Sequence, residues 1–231
     1  MSLPVIPIDH LALAFEPRPW RFAEARRAEI DAHFAARRAE RPQIWNGRVV
    51  LANRCRIADR SLTGGCFETD FASFLAWRDW DFPDADATNV FAMGALRGSD
   101  GAFLLGVMGA HTANAGRVYF PAGTPEPEDI ADGALDLAAN VVREVAEETG
   151  LAAQDYVAAP GWHAVPTGRR LALMKLLAAD APAPELQRRM REHIARDAHP
   201  ELADIRIVRG PADFDPMMPS FVTALLSYVL R

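Results

Sequence analysis

Lysine is almost missing from this chain: Lys175 is the only one, and the remaining basic residues are arginine. With alanine so abundant, that bias fits a GC-rich coding sequence and carries no functional message of its own. Cysteine is scarce too. Cys55 and Cys66 stand apart, with no CxxC pair and no Cys/His cluster. That argues against a thiolate zinc site and makes a reduced chain with two ordinary buried thiols the simplest account, with a Cys55–Cys66 disulfide across a hairpin as the alternative. No apolar run is long enough to span a bilayer, and the first residues lack a basic segment followed by an apolar stretch. The expectation is a cytoplasmic protein with no membrane partner. The formal net charge of −6 argues against non-specific binding to nucleic acid.

What is present is a globular composition: half the 231 residues are hydrophobic and 24% are charged, enough for a sizeable buried core. The most specific stretch is Arg143-Glu144-Val145-Ala146-Glu147-Glu148-Thr149-Gly150-Leu151. Its three glutamates fall at i, i+3 and i+4, so a helix places them on one face. Carboxylates so close repel one another. A hard divalent cation turns that repulsion into binding, because Mg²⁺ and Mn²⁺ take oxygen ligands. Gly150 supplies a helix stop.

The nonapeptide resembles the second half of the Nudix box, Gly-x5-Glu-x7-Arg-Glu-U-x-Glu-Glu-x-Gly-U, with U aliphatic. Arg143, Glu144, Val145, Glu147, Glu148, Gly150 and Leu151 fit it. The first half departs: Leu135 stands where the family has glutamate, and Asp129 where it has glycine. An insertion after Gly123, in Pro121-Ala122-Gly123-Thr124-Pro125, reconciles the two, with the extra residues bulging out before the helix and Asp132 or Asp136 as substitute braces for Arg143.

The resemblance implies an enzyme that uses Mg²⁺ or Mn²⁺ to hydrolyse the pyrophosphate bond of a nucleoside diphosphate linked to another group. It implies Glu144, Glu147, Glu148 and the Gly123 carbonyl as metal ligands, Glu147, Glu148 and Arg143 as catalytic residues, and Arg143 as organiser of the glutamates. The general base stays open among a box glutamate, Glu185, Glu201, Asp204, His111 and His163. His111 and His163 are also candidates to touch substrate.

Asn46-Gly47-Arg48, Leu62–Phe71 and the stretched box together look like the UDP-sugar pyrophosphatase branch, over roughly residues 44–152. This adds Asn46 and Arg48 as substrate-binding candidates, and UDP-glucose or UDP-galactose as substrate, giving UMP and sugar 1-phosphate. ADP-ribose and coenzyme A are alternatives, as is a non-catalytic nucleotide sensor. Many members of the family are dimers, which brings a homodimer as an expectation.

Periodicity predicts the rest. A helix spans 18–41, a strand leaves the Asn46-Gly47 turn, a second strand over 54–67 pairs back, and a helix covers 70–80. A hairpin turns at Gly98-Ser99-Asp100-Gly101. The acidic helix runs from 133–136 to 149, with Ala138, Val141, Val142 and Val145 as its apolar side. Trp45, Trp77 and Trp80 are expected in packing roles. The order of elements predicts an α/β protein: a Nudix-type α/β/α sandwich around a mixed sheet over 88–231, with residues 1–87 as an α+β extension packed on it.

Overall fold

In the computed structural model, which describes residues 3–230, the chain forms an α/β protein whose residues divide into two compact units. The division falls close to residue 88 but exchanges two segments. Residues up to Asp9 belong with Phe91–Gly123 and the chain from Leu137 onward, whereas Thr124–Asp136 belong with His10–Val90.

The unit containing His10–Val90 starts with β2 (His10–Phe15), the strand after β1 (Ile6–Ile8). The expected helix over 18–41 is two helices, α1 (Arg21–Ala25) and α2 (Arg27–Glu40), separated at Arg26. Then come β3 (Arg48–Ala58), β4 (Ser61–Asp70), α3 (Phe71–Asp79) and the start of β5 (Ala87–Arg97). The hairpin turn between β3 and β4 lies at Asp59-Arg60, later than the sequence pattern placed it. Both residues have positive φ, 48° and 56°, the geometry of a two-residue hairpin turn made here without glycine. A bulge at Arg54, φ 50°, lengthens β3. β2 runs parallel to β4 and β3 antiparallel to it, so the sheet is mixed. Its apolar side is aromatic: Trp20, Phe67, Phe74 and Trp77 pack with Ile30 and Leu51. Asp70 caps α3 through the Ser73 amide and pairs with Arg27 of α2.

The residues inserted after Gly123 also fold in this unit. A 3-10 turn at Pro127–Asp129 precedes a small hairpin, β8 (Ile130–Ala131) and β9 (Ala134–Leu135), turning at Asp132-Gly133 with φ 49° and 76°. β9 pairs with β2, and the Pro125 carbonyl accepts from the Val50 amide.

The other unit is built on the end of β5, β6 (Phe103–Met108), β7 (Val118–Tyr119), β10 (Tyr156–Ala158), β11 (Trp162–Thr167), β12 (Arg170–Ala179) and β13 (Leu202–Val208), with β1 on the edge against β11. The Gly98–Gly101 turn joins β5 to β6 as expected. Its helices are α4 (Leu137–Thr149), α5 (Ala183–Ile194) and α6 (Ser220–Val229). A side chain at Gly94 of β5 would strike Val141 and Val145, so α4 lies on that face. Phe91, an odd number of positions away and therefore on the opposite face, packs its ring on Phe221 of α6. The strands are thus covered by helix on both sides. No helix among the described residues is long and apolar enough to cross a membrane.

A candidate metal and phosphate site

The candidate site is built on α4. Glycine at position 94 brings the helix close to the sheet, and Val141 and Val145 bury against it. Glu144 and Glu148 are buried at 9% and 7% exposure, and only Glu147 faces solvent. Val142 and Ala138, expected in the apolar stripe, are exposed. The sheet meets the helix through Val141 and Val145, and the Gly123 segment covers Glu144.

Gly123 meets this helix directly. A Cβ there would overlap the Glu144 carboxylate, so only glycine leaves room for it. Arg143 holds the same acid, with Nη1 2.8 Å from Glu144 Oε1, and reaches Glu147 Oε2 at 3.3 Å. It spans two of the three glutamates from within their own helix, as an organiser would. Asp132, one substitute brace suggested by the sequence, lies in the turn of the inserted hairpin.

Glu148 is the anomalous group. Neither carboxylate oxygen has a hydrogen-bond partner of good geometry among the described residues. Burial pushes its pKa well above the usual carboxylate range, and the charges of Glu201, Glu144 and Glu147 push the same way, against the opposing Ala122 amide. The Tyr119 phenol is also raised, by burial and by Glu148 and Glu201. The region therefore carries a concentrated negative potential with an unsatisfied acid inside it.

Glu144, Glu147 and Glu148 line a cavity of about 210 Å³ together with His193, Asp197, His199 and Glu201. Of the downstream acids left unranked by the sequence, Glu201 is the one found here; Asp204 pairs with Arg191, 2.7 Å away. The Glu201 backbone is fixed by the Gly109 amide, and the His111 ring packs beside Gly109, which brings His111 to the neighbourhood of Glu201. His163 is placed in β11 against the Tyr228 ring. Asn46 and Arg48 belong to the other unit. Asn46 Oδ1 accepts from the Ala72 amide at the start of α3, and Arg48 pairs with Glu68 across the β3–β4 ladder. Trp77 is buried and Trp80 half-buried, in keeping with packing, but Trp45 is 77% exposed.

The donor set suits a hard cation: oxygen atoms, two buried carboxylates, one of them without a well-formed hydrogen bond, and a glycine packed against the other. Among the described residues no three acidic, histidine or cysteine side chains already stand gathered for a metal ion. Arg143, paired to two of the glutamates, holds them in that arrangement.

No protein-family model matches this chain, and no curated protein matches it. Solved structures with some likeness include the MutT protein from Methanosarcina mazei Go1, 18% identical over 62% of this chain and 92% of that one, with a TM-score of 0.41. A bifunctional NMN adenylyltransferase/ADP-ribose pyrophosphatase from Francisella tularensis, complexed with AMP and Mn ion, is 14% identical over 68% of this chain and 45% of that one, TM-score 0.45. RenU, a Nudix hydrolase from M. smegmatis, is 16% identical over 61% and 81%, TM-score 0.34.

Proposed function

We propose that this protein is a Nudix-type pyrophosphohydrolase acting on a nucleoside diphosphate linked to another group, with a UDP-sugar as the substrate class. The observation that carries the reading is Glu148, a buried carboxylate without a well-formed hydrogen bond, in a cavity with Glu144, Glu147 and Glu201. Charge so concentrated is costly to bury unless a proton or a cation joins it.

Glu144, Glu147, Glu148 and the Gly123 carbonyl are the groups that would hold Mg²⁺ or Mn²⁺. Such an ion supplies positive charge against phosphate oxygens and makes water more acidic. Arg143 orients Glu144 and Glu147. Glu201, which lines the same cavity, would take a proton from water, with the His111 ring close to its backbone. Asn46 and Arg48 stay as candidate substrate contacts on the strength of the sequence resemblance, and His163 on its place in the sequence near the box.

The test is a hydrolysis screen with Mg²⁺ or Mn²⁺ over UDP-glucose, UDP-galactose, ADP-ribose, NADH and coenzyme A, products resolved by chromatography. UMP and sugar 1-phosphate from the UDP-sugars support the whole reading. Turnover of ADP-ribose or coenzyme A instead keeps the chemistry and replaces the substrate. Nucleotide binding without any turnover turns the protein into a sensor.

A further inference from the structure

The last turn of α4 has an unusual hydrogen-bond pattern. The Ala146 carbonyl accepts from the Gly150 amide, as a helix end should. The next carbonyl, Glu147, would ordinarily accept from the amide of Leu151. That amide is turned to the Thr149 hydroxyl instead, at 3.2 Å, while the hydroxyl itself donates to the Val145 carbonyl. The Glu147 carbonyl is taken up by a side chain from another helix: His193 Nε2, at 2.9 Å. A carbonyl can only accept, so Nε2 carries the proton. Gly150, φ +71°, makes the approach feasible, because a Cβ there would collide with the His193 ring. A second tie holds α5 to the segment just after α4, between Arg189 and Asp155 at 2.6 Å.

His193 also lines the cavity, and the chain that follows it supplies Asp197, His199 and Glu201. His193 therefore ties the helix that carries Glu144, Glu147 and Glu148 to the segment that carries Glu201. We propose that His193 is a positioning residue: by donating to the Glu147 carbonyl it fixes the last turn of α4, and so sets the Glu147 and Glu148 carboxylates against Glu201. The inference rests on the proposed metal-dependent hydrolase for its functional consequence, but the bond itself does not.

The experiment compares His193→Leu, His193→Gln and the unaltered full-length protein. Leucine and glutamine both fill the space; glutamine can still donate to the carbonyl, leucine cannot. Hydrogen exchange of the peptide covering Glu147–Leu151 is followed without metal, and Mn²⁺ uptake is titrated by electron paramagnetic resonance. The expected result is roughly five- to tenfold faster exchange and a similar loss of Mn²⁺ affinity in the leucine variant, the yield of one hydrogen bond. Glutamine should restore both. Equal exchange in all three proteins, or failure of glutamine to rescue, overturns the role of His193. If the unaltered protein takes up no Mn²⁺, the metal reading fails, while the exchange data still uphold or overturn His193 as the group that fixes the turn.

Discussion

Gly123 occupies the one position where the Glu144 carboxylate would meet a side chain if there were one. The two residues are separated by the whole inserted hairpin yet touch in the folded unit. Gly123→Ala must therefore push the carboxylate aside. The expected outcome is a fall of about 100-fold or more in hydrolysis with a retained fold, since misplacement of a site group by about 1 Å costs on that order. Circular dichroism and steady-state kinetics check it.

Glu148 gives a pH signature. Its folded pKa lies well above the ordinary 4.5, so the native state holds the proton more tightly than the unfolded chain does. That contribution to stability is full below about pH 4.5 and is lost as pH rises towards the folded value. Glu148→Gln removes the ionisation. The variant should melt a few degrees higher than the unaltered protein in EDTA at pH 8, with a smaller gap at pH 5. It should also lose hydrolysis and the thermal gain from Mn²⁺. Melting curves across pH, with and without metal, decide; a variant that melts lower at pH 8 contradicts the reading.

Asp70 carries stability rather than chemistry. Burial raises its pKa, but Arg27 and the Ser73 amide and hydroxyl outweigh that, and the net shift is downward. Its stabilising effect is present above the unfolded value near 3.8 and disappears as pH falls through the folded one. Asp70→Ala removes a helix cap and an ion pair together, and should cost about 1–3 kcal/mol in urea unfolding at pH 7. Any hydrolytic activity should survive in the folded fraction.

The two thiols are free, and burial pushes each pKa up to about 11. At pH 8 the thiolate fraction is on the order of 10⁻³. Iodoacetamide should label the native protein slowly and modify both cysteines quickly in denaturant without reductant. Mass spectrometry reads the result, and fast native labelling would contradict the buried placement.

The acidic helix was legible because its valines and glutamates recur at helical spacing, and Gly150 marks its end. What periodicity missed was the exact apolar side: it counted Ala138 and Val142 there, and both are exposed, while Glu144 and Glu148 are buried. The Asp59-Arg60 turn was not legible, since neither residue advertises positive φ as Asn-Gly does. Glu201 could not be singled out, because one acid among many gains meaning only when folding brings it into the cavity that Glu148 lines. Likewise nothing local distinguishes Trp45, which is exposed, from Trp77, which is buried. The inserted hairpin was legible only as an irregular interval; its Asp132-Gly133 turn went unread.

That interval has a consequence for anyone who wishes to dissect the chain. The backbone passes between the two units at four places, near residues 9, 90, 123 and 136. A fragment beginning at residue 91 would lose β1 from the edge of β11, and would carry Thr124–Asp136 without β2, the strand that pairs with its hairpin. A fragment ending at residue 90 would lose the same hairpin from its own sheet. Neither half is a separable cassette, and swapping one between proteins would require moving all the interleaved pieces together.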